Sequence, residues 1–134
     1  MQLKLTFDEI NRLIQAKTGK ELPLMYGGPH TVRVSYPVPL MGPVGLDINV
    51  DRIENNDIYL SYGGGKAIEF MVRTAFKRFE GHPEAELLQL LDDNRLVLLL
   101  GKSPQMAQIF ERVDLQDIHF DERSVMIDFA PKGL

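Results

Sequence analysis

The feature that most constrains the fold is a strand, a glycine triplet and an amphipathic helix that follow one another over residues 58–79. Apolar side chains alternate over residues 58–62, which is typical of a strand with one buried face. Glycines 63–65 then end the strand, and residues 66–79 repeat their apolar side chains at helical spacing. Because such a stripe must be covered by another apolar surface, we expect this helix to pack on a sheet or against a ligand.

Other segments predict the remaining elements. Apolar residues alternate over residues 2–7, 31–36, 46–50 and 125–130, and residues 96–100 are wholly apolar, which predicts strands. Residues 115–120 are predicted to form a closing hairpin with residues 125–130, joined by a turn at 121–123. Prolines and glycines predict loops over residues 20–30 and 37–46. A capping box of Thr6 and Glu9 begins a helix that should end at Gly19. Two more helices are predicted, one over residues 83–91 and one that begins at Ser103 and Pro104.

This order of elements predicts a single α+β domain over residues 1–134. We expect an antiparallel β-sheet with the amphipathic helix of residues 66–79 packed across one face, plus short flanking helices. A parallel sheet would need helical crossovers between its strands, and residues 31–62 contain none. With 134 residues, of which 44% are hydrophobic, the chain is long enough to bury a core.

Composition argues against several classes of protein. A formal net charge of −4 is unusual for a general nucleic-acid binder, so we expect no nucleic-acid partner. The lack of cysteine removes disulfides and thiolate metal sites. No signal peptide is visible, and the longest apolar run, residues 96–100, is far shorter than the ~20 residues that span a membrane. We therefore expect no membrane span, and a cytoplasmic location for the sequence as written or the envelope if a leader was removed.

The leading functional hypothesis is a non-enzymatic module that binds an apolar small molecule, a lipid acyl chain or an apolar segment of a partner. Methionine and phenylalanine suit such a pocket because they repack at modest cost. The residues that we expect to contact the ligand lie on the helix and in the proline-rich loop: Ile68, Met71, Val72, Phe76, Phe79, Leu40 and Met41. Alternatively these residues form a closed core, which indicates a structural or protein-interaction domain that dimerises through the loop or a terminal hairpin.

A weaker hypothesis concerns the glycine triplet. Gly64, Gly65 and Lys66 precede a helix, whose N-terminal amides favour anions. The spacing does not match a Walker loop, however, because Ala67 stands where serine or threonine would follow the lysine. A flexible strand-to-helix turn explains the glycines equally well. No motif predicts a cofactor.

A third hypothesis is an enzyme or metal site on the last hairpin. Asp117, His119 and Asp121 alternate along a predicted strand and so share one face. Two carboxylates beside an imidazole orient a histidine base or bind a metal ion. The same pattern is typical of the solvent face of a hairpin, and no nucleophile motif accompanies it. The sequence therefore favours a protein that is not an enzyme.

Parts of the chain resemble the small tubular lipid-binding-like domains of bacterial envelope proteins. The resembling segments are residues 6–14, the strand pair over 46–62 and the closing segment over 110–129, which match in hydrophobic pattern and turns. The resemblance implies a bent antiparallel sheet around a long helix, with an apolar groove that accepts acyl chains. The chain departs from the pattern in residues 83–100 and lacks a lipobox cysteine.

Overall fold

Two antiparallel β-sheets make up most of the structure, a computed structural model that describes residues 1–19, 21–38, 42–63, 70, 72–74, 77, 86–91 and 94–132. The strands are β1 (Gln2–Thr6), β2 (Leu24–Gly28), β3 (Thr31–Val38), β4 (Gly42–Glu54), β5 (Asp57–Gly63), β6 (Leu88–Leu90), β7 (Arg95–Leu98), β8 (Val113–Phe120) and β9 (Ser124–Pro131). The helices are α1 (Phe7–Thr18) and α2 (Pro104–Phe110), with a 3₁₀ turn at Leu100–Lys102. The large sheet has the order β2-β3-β4-β5-β7-β6 and the small sheet the order β1-β9-β8.

The prediction of one sheet with the helix of residues 66–79 packed across its face is wrong. The closing hairpin β8–β9 pairs with β1 at the start of the chain and so forms a second sheet. Residues 70, 72–74 and 77 are helical as predicted, but none of these described residues belongs to the core cluster or packs against it. The described core instead lies between the two sheets.

Buried side chains from both sheets and from α1 and α2 form this core. Val32 and Ile58 come from the large sheet, and Phe7 and Phe110 from α1 and α2. The small sheet contributes Leu115, Ile118, Phe120 and Val125. Partly buried residues of β4 and β9, such as Ile48 and Ile127, pack against this cluster. The burial of apolar surface between the sheets is therefore what holds them together.

The predicted limits of the first helix are confirmed. The Thr6 hydroxyl accepts a hydrogen bond from the Glu9 amide, and the Glu9 carboxylate accepts one from the Thr6 amide. The hydrogen bonds that the Glu9 carboxylate accepts from the Thr6 amide and the Thr6 hydroxyl lower the pKa of Glu9, because they favour its charged form. Gly19 ends the helix at φ +72°, a left-handed conformation that glycine adopts without strain. Pro104 occupies the first turn of α2, also as predicted.

Three segments differ from the local predictions. Residues 24–28 form β2 rather than loop, and the proline-rich segment extends β3 and β4, where Pro37 lies opposite Pro43. Neither proline has a backbone N–H to donate. Because the two prolines lie opposite each other, the missing hydrogen-bond donors fall at a single position of the β3–β4 pairing. Residues 88–90 form β6 rather than helix, because Leu88 and Leu90 pair with β7. In each case pairing with a neighbouring strand outweighs the preference of the local sequence for a loop or a helix.

Two β-bulges shape the region between the sheets. Asp51 is the extra residue in β4, between Val50 and Arg52, and Gln116 is the extra residue in β8. In β8 the bulge keeps Leu115 and Ile118 on the core face although three positions separate them. Among the described residues, no helix has the length and apolarity needed to cross a membrane.

Candidate metal centre

Two carboxylates and an imidazole meet on the face of the closing hairpin that points away from the core. We call Asp117, His119 and Asp128 the carboxylate–histidine cluster. His119 Nδ1 lies 3.1 Å from Asp117 Oδ2 and 3.6 Å from Asp128 Oδ2, and one ligand atom from each residue lies within 4.8 Å of the others. Two ligands bonded to one tetrahedral ion at 2.0–2.1 Å are separated by about 3.3 Å. The spacings of 3.1 Å and 3.6 Å are both close to that value.

Strand register places these side chains together. Asp117 of β8 lies directly opposite Asp128 of β9, and His119 lies opposite Met126. The Gln116 bulge precedes this point, so Asp117 and His119 point outward while Ile118 and Phe120 are buried. Like charges directly opposite each other destabilise a strand pair. A cation between the two carboxylates would remove that repulsion.

Each carboxylate has one oxygen near His119 and the other oxygen near an outer neighbour. Gln2 Nε2 of β1 donates a hydrogen bond of 2.9 Å to Asp128 Oδ1. His30 Nε2, in the turn between β2 and β3, lies 3.7 Å from Asp117 Oδ1. Metal-binding carboxylates are commonly oriented by such outer partners. The Oδ2 atoms of both aspartates are thereby left facing His119.

The cluster is accessible from solvent and borders a cleft. The side chains of His119 and Asp128 are each 30% exposed, and that of Asp117 is 47% exposed. Asp117 also lies at the edge of an open cleft of about 310 Å³ between the bulged parts of β4 and β8. The cleft is lined by His30, Val50, Asp51, Arg52, Ile53, Gln116 and Asp117. An ion or small ligand can therefore reach the cluster without a conformational change.

The sequence hypothesis named Asp121 as the third member, and the structure places Asp121 elsewhere. The amide of Arg123 donates a 2.8 Å hydrogen bond to Asp121 Oδ1, and this bond is the main cause of a lowered pKa of Asp121. Lys4 Nζ lies 3.9 Å from its Oδ2. Asp121 therefore stabilises the hairpin turn, and Asp128 takes the third position of the cluster. Asp128 is a polar residue between the apolar residues Ile127 and Phe129, and this alternation was the sequence signal that could have identified it as a member of the cluster.

Of the other predicted site residues, only Val72 lies in the part of the chain that the structure describes. Val72 is helical and partly buried. The remaining residues predicted for the apolar ligand and the anion lie outside the described residues: Leu40, Met41, Gly64, Gly65, Lys66, Ile68, Met71, Phe76 and Phe79. Binding of an apolar ligand, binding of an anion and homodimer formation therefore stay predictions.

Comparisons of the chain with protein-family models, with curated proteins and with solved structures find no match. The resemblance to tubular lipid-binding-like domains therefore stays a prediction. Function has to be argued from the geometry of the carboxylate–histidine cluster and its surroundings.

Proposed function

We propose that this protein binds a divalent transition-metal ion at the carboxylate–histidine cluster. The observation that supports this most directly is the convergence of Asp117, His119 and Asp128, with ligand atoms within 4.8 Å of one another. An ion that binds there lies between His119 Nδ1 and the same aspartate oxygens, and replaces the direct contact of His119 Nδ1 with Asp117 Oδ2. Its two positive charges neutralise the two aspartates.

The donor set favours particular ions. One imidazole and two carboxylates suit Zn²⁺, Co²⁺, Ni²⁺ or Mn²⁺, whereas Cu⁺ prefers the thiolates that this chain lacks. Ca²⁺ takes 6–8 oxygen ligands and Mg²⁺ keeps much of its water, so both should bind more weakly. Among divalent ions of the first row, we expect Zn²⁺ and Ni²⁺ to bind more tightly than Mn²⁺. Three protein ligands leave a coordination position for water or a small ligand from the cleft.

The first test is calorimetric titration of the EDTA-treated protein with ZnCl₂, and with MgCl₂ for comparison. We expect Zn²⁺ to bind at one equivalent and His119→Ala to weaken this binding at least tenfold. Asp121→Asn is the matched control, because it removes a carboxylate two residues away on the same hairpin but outside the cluster. At a free Zn²⁺ concentration 100 times Kd, binding should stabilise the fold by about 2.7 kcal/mol. Equal binding by wild type and His119→Ala would contradict the proposal.

A second variant separates metal binding from structural support. Asp128→Asn keeps the shape of the side chain and removes one of two opposed charges. Without metal we expect this variant to be as stable as wild type or more stable by up to about 1 kcal/mol, since the cross-strand repulsion is gone. Its Zn²⁺ affinity should nevertheless fall at least tenfold. A loss of stability in EDTA would instead indicate that the cluster is a structural hydrogen-bond network.

A further inference from the structure

We infer that His30 is the positioning residue of this metal site, and that it links the site on the small sheet to the large sheet. This inference rests on the proposed function. His30 lies in the turn between β2 and β3, while every residue of the carboxylate–histidine cluster comes from β8 or β9. Its Nε2 lies 3.7 Å from Asp117 Oδ1, and the other oxygen of Asp117 faces His119. His30 therefore approaches the site from across the cleft.

The turn that carries His30 is held by backbone hydrogen bonds to both sheets. The Val50 amide of β4 donates to the His30 carbonyl at 2.8 Å, and the Phe120 amide of β8 donates to the Pro29 carbonyl at 2.8 Å. Phe120 is buried in the shared core. Although the His30 side chain is 55% exposed, its backbone is thus fixed relative to Asp117. Such an anchored turn keeps the imidazole beside the carboxylate at a low cost in entropy.

The chemistry assigns His30 an orienting role. At 3.7 Å, His30 Nε2 lies just beyond hydrogen-bond distance of Asp117 Oδ1, so a small closing movement on ion binding would let its N–H donate to this oxygen and direct Oδ2 toward the ion. Gln2 of β1 already donates such a hydrogen bond to Asp128, at 2.9 Å. His30 is placed less well as a direct ligand, because it lies outside the group of three residues whose ligand atoms are within 4.8 Å of one another. Loss of an outer partner of this kind typically weakens metal binding by about 10–100-fold.

The test compares Zn²⁺ affinity in wild type, His30→Ala and His30→Gln, with thermal unfolding in EDTA as the control for folding. We expect His30→Ala to bind Zn²⁺ about tenfold more weakly, at the lower end of that range because the contact is exposed. Glutamine places its amide N–H near the position of Nε2 and is a poor zinc ligand. His30→Gln should therefore recover an affinity within a few fold of wild type.

Two results would overturn the inference while leaving the proposed function in place. The first is that His30→Ala binds Zn²⁺ as tightly as a wild type that binds it at one equivalent, which would remove any role for His30. Alternatively His30→Gln binds as weakly as His30→Ala, which would make His30 a direct ligand. If wild type itself binds no Zn²⁺, the proposed function fails and the inference fails with it.

Hydrogen exchange gives a readout that a purely structural role would not change. Zn²⁺ should slow exchange of the Val50 and Phe120 amides in wild type, because both donate to the turn that His30 orders against Asp117. In His30→Ala, saturating Zn²⁺ should slow neither amide beyond the protection that follows from global stabilisation. Equal zinc-dependent protection in the two proteins would contradict the link between the sheets.

Discussion

Asn56 fixes the turn between β4 and β5 against the small sheet. Asn55 and Asn56 have φ values of +53° and +65°, as a two-residue turn with both residues in the left-handed region requires. Asn56 Oδ1 accepts a 2.8 Å hydrogen bond from the amide of Leu115, and Nδ2 donates to Asp114 Oδ1 at 3.2 Å. One residue thus serves both the hairpin and the junction between the sheets.

These two roles can be separated by mutation. Asn56→Gly keeps the left-handed backbone but removes both hydrogen bonds, so we expect it to lower the free energy of unfolding by about 2 kcal/mol. Asn56→Ala adds left-handed strain and should cost about 1 kcal/mol more. Asn55→Gly, at an exposed position in the same turn, is the control and should be nearly neutral. Urea denaturation measures all three, and equal stability of Asn55→Gly and Asn56→Gly would refute the junction role.

The sequence predicts which side chains form the site only where those side chains are close together along the chain. Asp117 and His119 share a face because they are two positions apart in a strand, and the alternation of residues showed this. Asp128 lies beside them because of the register between β8 and β9, and His30 lies near Asp117 because the two sheets pack together. Neither long-range placement is encoded in a local pattern, so the sequence offered Asp121 as the third carboxylate instead.

At the scale of single elements, the β8 bulge is the feature that connects fold and site. Without Gln116, the sequence of β8 would alternate regularly, with Leu115, Ile118 and Phe120 on the core face and Asp117 and His119 on the other. The same holds for β4 without Asp51. The extra residues are therefore not needed to satisfy the hydrophobic pattern, and both of them line the cleft beside Asp117. Bulges bend and twist a strand locally, which is a common way to aim side chains at a site.

Deletion of Gln116 tests this interpretation. We expect the deletion variant to keep the β-sheet content and a cooperative unfolding transition, because its core pattern stays intact. Its Zn²⁺ affinity should fall about tenfold, since the altered twist displaces Asp117 from His30 on the other sheet. Circular dichroism and zinc titration measure the two effects.

Gln116→Ala is the matched control for this experiment. It keeps the extra residue and hence the bulge, and the Gln116 side chain is exposed and outside the cluster, so Zn²⁺ binding should stay close to that of wild type. Zinc binding that survives the Gln116 deletion unchanged would show that the bulge does not orient the cluster.

Most strands and the two hairpins over residues 46–62 and 115–130 could be predicted, but not the pairing of strands far apart in the sequence. Alternation correctly indicated strands near residues 31–36, 46–50, 58–62 and 125–130, because this signal is local. Whether β9 extends the existing sheet or pairs with β1 depends on contacts between opposite ends of the chain. The strand β6 was missed for a related reason, since Leu88 and Leu90 gain their strand geometry from pairing with β7.

At the scale of the whole molecule, the two sheets should unfold together. The small sheet joins the beginning of the described chain, β1, to its last strand, β9. Its buried side chains contact a core that also contains Val32 and Ile58 of the large sheet. Neither sheet can therefore separate without exposing apolar surface of the other. A fold held mainly within each sheet would unfold in two steps instead.

Ile58→Ala distinguishes these two cases. Ile58, near the start of β5, is 5% exposed, so its truncation should lower the free energy of unfolding by about 3 kcal/mol through lost burial and a residual cavity. Under cooperative unfolding, the slowest-exchanging amides of β8 and β9 should then exchange roughly 100-fold faster, as should those of β5, although the mutation lies in the other sheet. Leu13→Ala, at a position that is 57% exposed, is the control and should change exchange little in either sheet. Acceleration confined to the large sheet would mean that the core between the sheets does not couple their stability, and the proposed link from His30 to the metal site would then act only locally.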